Sequence, residues 1–172
     1  MDNIVEQGTI SPVSETDFET VYEIILDAAQ AYCGVIPADR WHDPYMSKEE
    51  LTGEIASGVV FFGFKISGDL LGVMGIQDKG EVTLIRHAYV RTRCHSLGIG
   101  GKLLDFLHKH SNKPFLVGTW ADTVRAIHFY EKHGFQVIAD TELKNALLHR
   151  FWSIPERQVE TSVVLADTKF NQ

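Results

Sequence analysis

The feature that most constrains the fold is residues 90–101, Val-Arg-Thr-Arg-Cys-His-Ser-Leu-Gly-Ile-Gly-Gly. A β-rich run over 82–90 leads into it, and Leu103, Leu104 and Leu107 follow at helical spacing. The order is strand, glycine-rich turn, helix. Gly98, Gly100 and Gly101 carry no side chain, so a ligand can approach the backbone there. The unpaired N–H groups at the helix start, together with the helix dipole, favour an anion. The stretch reads as a pyrophosphate cradle. Two familiar phosphate motifs do not fit it. A dinucleotide-binding fingerprint needs a third glycine where Leu103 stands, and a P-loop needs a glycine at Ser96 and a hydroxyl residue at Leu103.

A third motif does fit. His95-Ser96-Leu97-Gly98-Ile99-Gly100 resembles the acetyl-CoA loop of the GNAT superfamily of N-acetyltransferases, Gln/Arg-x-x-Gly-x-Gly/Ala, at every place but the first. Downstream, residues 126–135, Ala-Ile-His-Phe-Tyr-Glu-Lys-His-Gly-Phe, resemble the second signature of the same superfamily, a helix ending in Phe-Tyr-Glu-Lys-x-Gly-Phe. The two occur in the superfamily's order, and the order of elements from residue 15 to residue 166 also agrees.

Composition narrows the class. A chain of 172 residues with 44% hydrophobic content can bury the core of one domain, and the whole of 1–172 reads as a single domain. A formal net charge of -7 argues against a nucleic-acid surface. No apolar run reaches membrane-spanning length, and no signal-peptide pattern opens the chain. Cys33 and Cys94 show no metal-ligand spacing and read as free thiols in a reducing cytoplasm. The histidines have no metal-ligand arrangement either, so no metal is expected.

Periodicity and breakers supply the elements. An edge strand near Ile10 and Val13 precedes a helix that starts at Ser14-Glu15-Thr16-Asp17 and buries Val21, Ile24, Ile25 and Ala28. Pro37 and Pro44 exclude a helix over 34–45, a loop carrying Asp39, Arg40, Trp41, His42, Asp43 and Tyr45. Ser47-Lys48-Glu49-Glu50 is a capping box for a short helix through Leu51 and Ile55. Strands over 59–66, 70–76 and 81–90 form an antiparallel meander into the glycine loop, and Gly72 and Gly75 mark bulges or close backbone approach. Beyond the third helix come a strand over 115–119, a helix over 121–133 stopped by Gly134, a strand over 135–138 and a helix over 142–151. A last strand covers 158–165. Strands in series, then strands joined by helices, give a mixed α/β (α+β) domain. The resemblance sharpens this to a mostly antiparallel sheet of about seven strands flanked by helices, with strands 4 and 5 parallel and splayed.

By the same resemblance, the chain is an acetyl-CoA-dependent N-acetyltransferase working by direct transfer in a ternary complex. The acceptor is read as a primary amine of a small molecule. A protein or peptide amine is the second reading, and a non-catalytic acyl-CoA-binding sensor the third. Ala88, Tyr89 and Val90 would border the pantetheine, and a backbone N–H among them would polarise the thioester. His95, Ser96, Leu97, Gly98, Ile99, Gly100, Gly101 and Lys102 would hold the pyrophosphate, with Arg125, Arg91 and Arg93 as further cations. Thr123 stands where an asparagine often assists the cofactor. Tyr130 matches the tyrosine that meets the leaving thiolate.

The base stays open. Leu84 and Arg86 occupy the places where relatives carry a glutamate or a histidine, and neither is a base near neutral pH. Glu81 and His87 lie nearby, although strand alternation sets His87 opposite Arg86 unless a bulge intervenes. The 39–43 loop and a water are further possibilities. Trp41, His42, Tyr45, Arg86 and Trp152 are the acceptor-site candidates, with Arg86 suited to clamp an acidic group. A homodimer is a reasonable expectation for such an enzyme.

Overall fold

The computed structural model describes residues 5–170. Seven strands form one sheet in the order β1-β2-β3-β4-β5-β7-β6. They are β1 (Thr9–Pro12), β2 (Val59–Ile66), β3 (Asp69–Asp78), β4 (Thr83–Val90), β5 (Phe115–Trp120), β6 (Gln136–Val137) and β7 (Ser162–Ala166). The helices are α1 (Phe18–Ala29), α2 (Lys48–Ala56), α3 (Ile99–Lys109), α4 (Val124–Lys132), α5 (Thr141–Phe151) and α6 (Glu156–Glu160). Every neighbouring pair is antiparallel except β4 and β5. The expected sheet and its parallel pair are therefore present.

The helices divide between the two faces because their apolar stripes match alternate strand residues. On one face, α3 and α4 bury Leu103, Leu104, Leu107 and Tyr130 against Met74, Ile85, Phe115 and Val117. On the other, α1 lays Val21, Ile24 and Ile25 over Phe61, Val73 and Tyr89, with Leu51 of α2. Beside them α5 and α6 cover Leu84, Leu116 and Val164 with Leu147, Leu148, Phe151, Trp152 and Val159. Each fully buried Leu, Ile or Phe contributes about 1.5–3 kcal/mol. Capping is local: Ser47 Oγ accepts from the Glu50 N–H, and the Glu50 carboxylate accepts from the Ser47 N–H.

Three features shape the centre. The β4–β5 pairing ends at Ile85 and Val117. Beyond that point β4 runs on beside β3, while β5 runs on beside β7. A wedge thus opens between two parallel strands. Second, the β3–β4 register jumps: Gly75 faces His87 while Ile76 faces Ile85. Arg86 is the extra residue of a bulge. Third, Gly72 lets β3 approach α3, since a Cβ there would stand 2.9 Å from Ile99 Cγ2.

One expectation is corrected. The last strand does not begin at 158: residues 156–160 are helical, because Pro155 leads into a turn whose Val159 packs into the core, and β7 starts at Ser162. In α2 the inner face runs through Leu51 and Glu54, while Ile55 is exposed.

Candidate active site

A cleft of about 1200 Å³ passes through the wedge between β4 and β5. Its first end is backbone. Gly98 caps α3 at φ 78, ψ 11, a left-handed conformation that suits glycine. Ser96 also has positive φ, 66. Such alternation of handedness turns successive N–H groups toward one concavity. The Lys102 N–H is the first to bond back, to Gly98 O at 3.0 Å. The N–H groups of Ile99, Gly100 and Gly101 precede that ladder and are available to an anion. Gly100 and Gly101 sit against Phe129 and His133, leaving no room for a side chain: a Cβ on Gly101 would lie 2.8 Å from His133 Nε2. Lys102, Arg125 and Lys132 line the same end with exposed side chains.

Several cofactor candidates also make contacts within the protein, His95 and Thr123 among them while lining the cleft. His95 reaches back to Val90 O, 3.1 Å from its Nε2, so its ring braces the loop from beneath. Leu97 and Ile99 turn their side chains into the core and offer only backbone. Thr123 is buried, with its hydroxyl donating to Trp120 O at 2.6 Å and lying 2.8 Å from the Thr119 hydroxyl; it secures the turn into α4. Arg91 donates to Leu70 O at 3.0 Å and does not line the cleft, and Arg93 is exposed outside it.

The middle of the cleft holds Tyr130 on one side and Ala88, Tyr89 and Val90 on the other. Past Ile85 the edge of β4 facing β5 has no strand partner, which suits pairing with an extended amide-bearing ligand. Tyr130 is 5% exposed and lies edge-on to Phe129 and Phe135. Burial first, then the nearby Tyr32, pushes its hydroxyl pKa well above that of a free phenol. The group is a neutral hydrogen-bond donor at all physiological pH values.

The far end is made of side chains. His87, Arg86, Tyr32, Tyr45 and Val35 form one wall, and Trp152, Ile154 and Gln158 the other. Because of the bulge, Arg86 and His87 project to the same side, and both reach Glu54 of α2. Arg86 Nη2 lies 3.2 and 3.3 Å from its two oxygens, and His87 Nε2 3.3 Å from Oε2. The His87 hydrogen bond, then the Arg86 charge, hold the Glu54 carboxyl at about 2, against the opposing effect of burial. The His87 ring stacks with Phe61 at 5.8 Å and with Tyr89 at 6.2 Å. Tyr32 packs at 5.8 Å from Tyr45 and edge-on to Tyr89, and burial raises its pKa to about 12. Trp152 lies flat over Gly118, where a Cβ would come within 3.1 Å of the indole.

Three candidates fall outside the cleft lining. Glu81 sits before β4, half exposed, with its carboxylate 2.6 Å from Arg150, because the strand starts at Thr83 and turns it outward. His42 is exposed. Trp41 packs on Tyr45 at 5.8 Å and supports that wall from behind. Asp39 pairs with Arg157 at 2.6 and 3.1 Å, so the 34–45 loop is tied to α6. Glu54 had not been singled out from sequence. Its only signal was a charged residue three places after the buried Leu51 in a short helix.

The comparisons agree with this architecture. No curated protein sequence matches the chain. Solved structures similar to it include the PaiA N-acetyltransferase from Thermoplasma acidophilum in complex with coenzyme A, at 19% identity and TM-score 0.71, covering 95% of this chain and 99% of that one. The ribosomal-protein-S18-alanine N-acetyltransferase from Escherichia coli aligns at 17% identity and TM-score 0.67, covering 96% of each. A GNAT family acetyltransferase from Elizabethkingia anophelis with acetyl-CoA bound aligns at 24% identity and TM-score 0.59, over 94% of this chain and 98% of that one. Residues 19–150 match the model of the acetyltransferase (GNAT) domain, and the chain therefore belongs to the GNAT family of acetyltransferases.

Proposed function

We propose that the chain acts as one N-acetyltransferase domain that moves the acetyl group of acetyl-CoA to a primary amine of a small molecule. The carrying observation is the cleft through the β4–β5 wedge, with a backbone anion cradle at one end and His87 at the other. Acetyl-CoA supplies an activated thioester carbonyl. The N–H groups of Ile99, Gly100 and Gly101 would hold its pyrophosphate, with Lys102 and Arg125 adding charge. The open edge of β4 would pair with the pantetheine and direct an N–H at the carbonyl oxygen. Tyr130 would donate a hydrogen bond to the departing thiolate. Its raised pKa makes it a better donor than proton source. His87 is the base in this reading, since it lines the cleft and an imidazole has a ring nitrogen that can take a proton from an ammonium. The free thiols Cys33 and Cys94 suit a reducing cytoplasm, and among the described residues no helix is long and apolar enough to cross a membrane.

Two observations support a small acceptor. The Asp39–Arg157 pair joins the two segments whose neighbouring residues, Val35 and Tyr45 on one side and Gln158 on the other, line the acceptor end. Among the described residues, the acidic side chains lining the cleft are Asp105 and Asp122, at the α3 and α4 end. Tyr32, Tyr45 and Trp152 suit a compact apolar or aromatic body, and the Arg86 N–H groups not used on Glu54 suit an acidic substituent. The test is thiol release from acetyl-CoA across a panel of aryl-alkyl amines, amino acids, polyamines and short peptides. Turnover confined to compact apolar or acidic amines is expected. Turnover confined to polyamines or peptides would overturn this assignment.

A further inference from the structure

We infer that Glu54 is a positioning residue for the reaction: it fixes the tautomer and orientation of the His87 ring, which takes the proton from the acceptor ammonium. This rests on the reading of His87 as base. Three observations converge on it. The bulge at Arg86 turns His87 to the α2 side of β4, where regular alternation would have set it on the opposite face. A carboxylate can only accept, so the His87 nitrogen 3.3 Å from Glu54 Oε2, Nε2, must carry the hydrogen. The neutral ring then has its lone pair on Nδ1. Finally, the ring lies nearly parallel to those of Phe61 and Tyr89, at 5.8 and 6.2 Å, which limits its tilt and leaves flipping to be fixed by the Glu54 contact.

Glu54 does not line the cleft and reaches it through His87 and Arg86. Arg86 has the complementary part. Its Nη2 bonds both Glu54 oxygens, which keeps the carboxylate anionic and pointed at the imidazole. The cluster joins elements far apart in the chain, Glu54 and His87 being separated by 33 positions in sequence number.

The proton account balances. Nδ1 accepts a proton from the ammonium, and the resulting imidazolium is stabilised by the carboxylate behind it. The amine lone pair forms the C–N bond to the thioester carbon as the C–S bond breaks. The electron pair leaves on sulfur, facing Tyr130. The second amine proton passes to that sulfur, giving free thiol and neutral amide, and the imidazolium returns its proton to solvent.

The test combines nitrogen-15 NMR of the histidines with steady-state kinetics of Glu54→Ala, Glu54→Gln and His87→Gln. In the native protein the His87 resonance should report hydrogen on Nε2. The Glu54→Ala variant should lose that tautomer bias, with kcat falling roughly 10- to 100-fold and acetyl-CoA affinity unchanged. In Glu54→Gln the side-chain carbonyl still accepts from Nε2, so the tautomer should return while kcat recovers only in part, the charge being lost. Hydrogen on Nδ1 in the native protein overturns the inference without recourse to any variant. A drop in His87→Gln with no change in Glu54→Ala overturns the positioning role alone. If neither variant loses activity, the His87 reading fails as well.

Discussion

The two ends of the cleft are built differently. The cofactor end is backbone: a left-handed glycine, a helix start, and N–H groups not yet taken into the ladder. The acceptor end is side chain, assembled from α2, β4, the 34–45 loop and the segment after α5. The first kind of site tolerates changes in nearby side chains but not in backbone conformation. The second is sensitive to single atoms on distant elements. This difference orders the expected mutational effects.

The largest effect should come from the backbone end. Gly98 has φ of 78, where a β-branched residue is strained. Gly98→Val should weaken acetyl-CoA binding by roughly 100-fold or more, with a circular dichroism spectrum like that of the native protein. Unaltered affinity in a calorimetric titration would show that the cradle does not hold the cofactor.

Next comes the middle of the cleft. Removing one donor from a developing anion typically costs about 10²–10³ in kcat. Tyr130→Phe should lose about that much turnover with little change in acetyl-CoA affinity. Equal turnover would remove Tyr130 from the chemistry and leave it as part of the α4 packing.

At the acceptor end, Arg86→Leu should raise KM for an acidic amine by roughly tenfold and hardly change it for an uncharged one. Equal changes for both would mean that Arg86 serves Glu54 alone. The same cluster predicts a pH effect on stability. The Glu54 pKa is depressed in the folded state to about 2, so its contribution is present above the unfolded value near 4.5 and is lost as pH falls toward 2. That contribution is on the order of 2 kcal/mol after allowance for its partial exposure. Glu54→Gln should flatten the acid limb of a melting-temperature profile between those values.

The smallest effect belongs to the strap. Arg157 and Asp39 are both exposed, and such pairs stabilise by about 0–1 kcal/mol. Arg157→Ala should shift the melting temperature very little, yet admit bulkier amines. A large loss of stability, or no change in acceptor range, would break the proposed link between this pair and acceptor size.

The same contrast explains what could be read from sequence. The cradle was legible because its parts lie within one short stretch: Gly98, Gly100 and Gly101 follow a strand and precede Leu103, Leu104 and Leu107. The succession of strands and helices along the chain followed from local signals, and the parallel pair from the resemblance to the GNAT superfamily. The acceptor end was less legible. Strand alternation opposed His87 to Arg86, and only the bulge reversed that phase. Gly75 marked the place on β3, but the extra residue belongs to β4. Glu54 was hidden because a glutamate in a short charged helix carries no local sign of its partner, and tertiary packing turns it toward β4. Arg157 went unread because it lies between Pro155 and the strand expected over 158–165, where no local signal marked a helix. Each of these depended on a partner between 32 and 118 positions away.

The most direct test of the account is calorimetric titration of acetyl-CoA into the native chain and into Gly98→Val at low salt. Saturable binding to the native chain, strongly weakened in the variant, is the predicted result, because the cradle is a matter of backbone geometry alone. Absence of binding to the folded native chain, or equal binding to both, would contradict it.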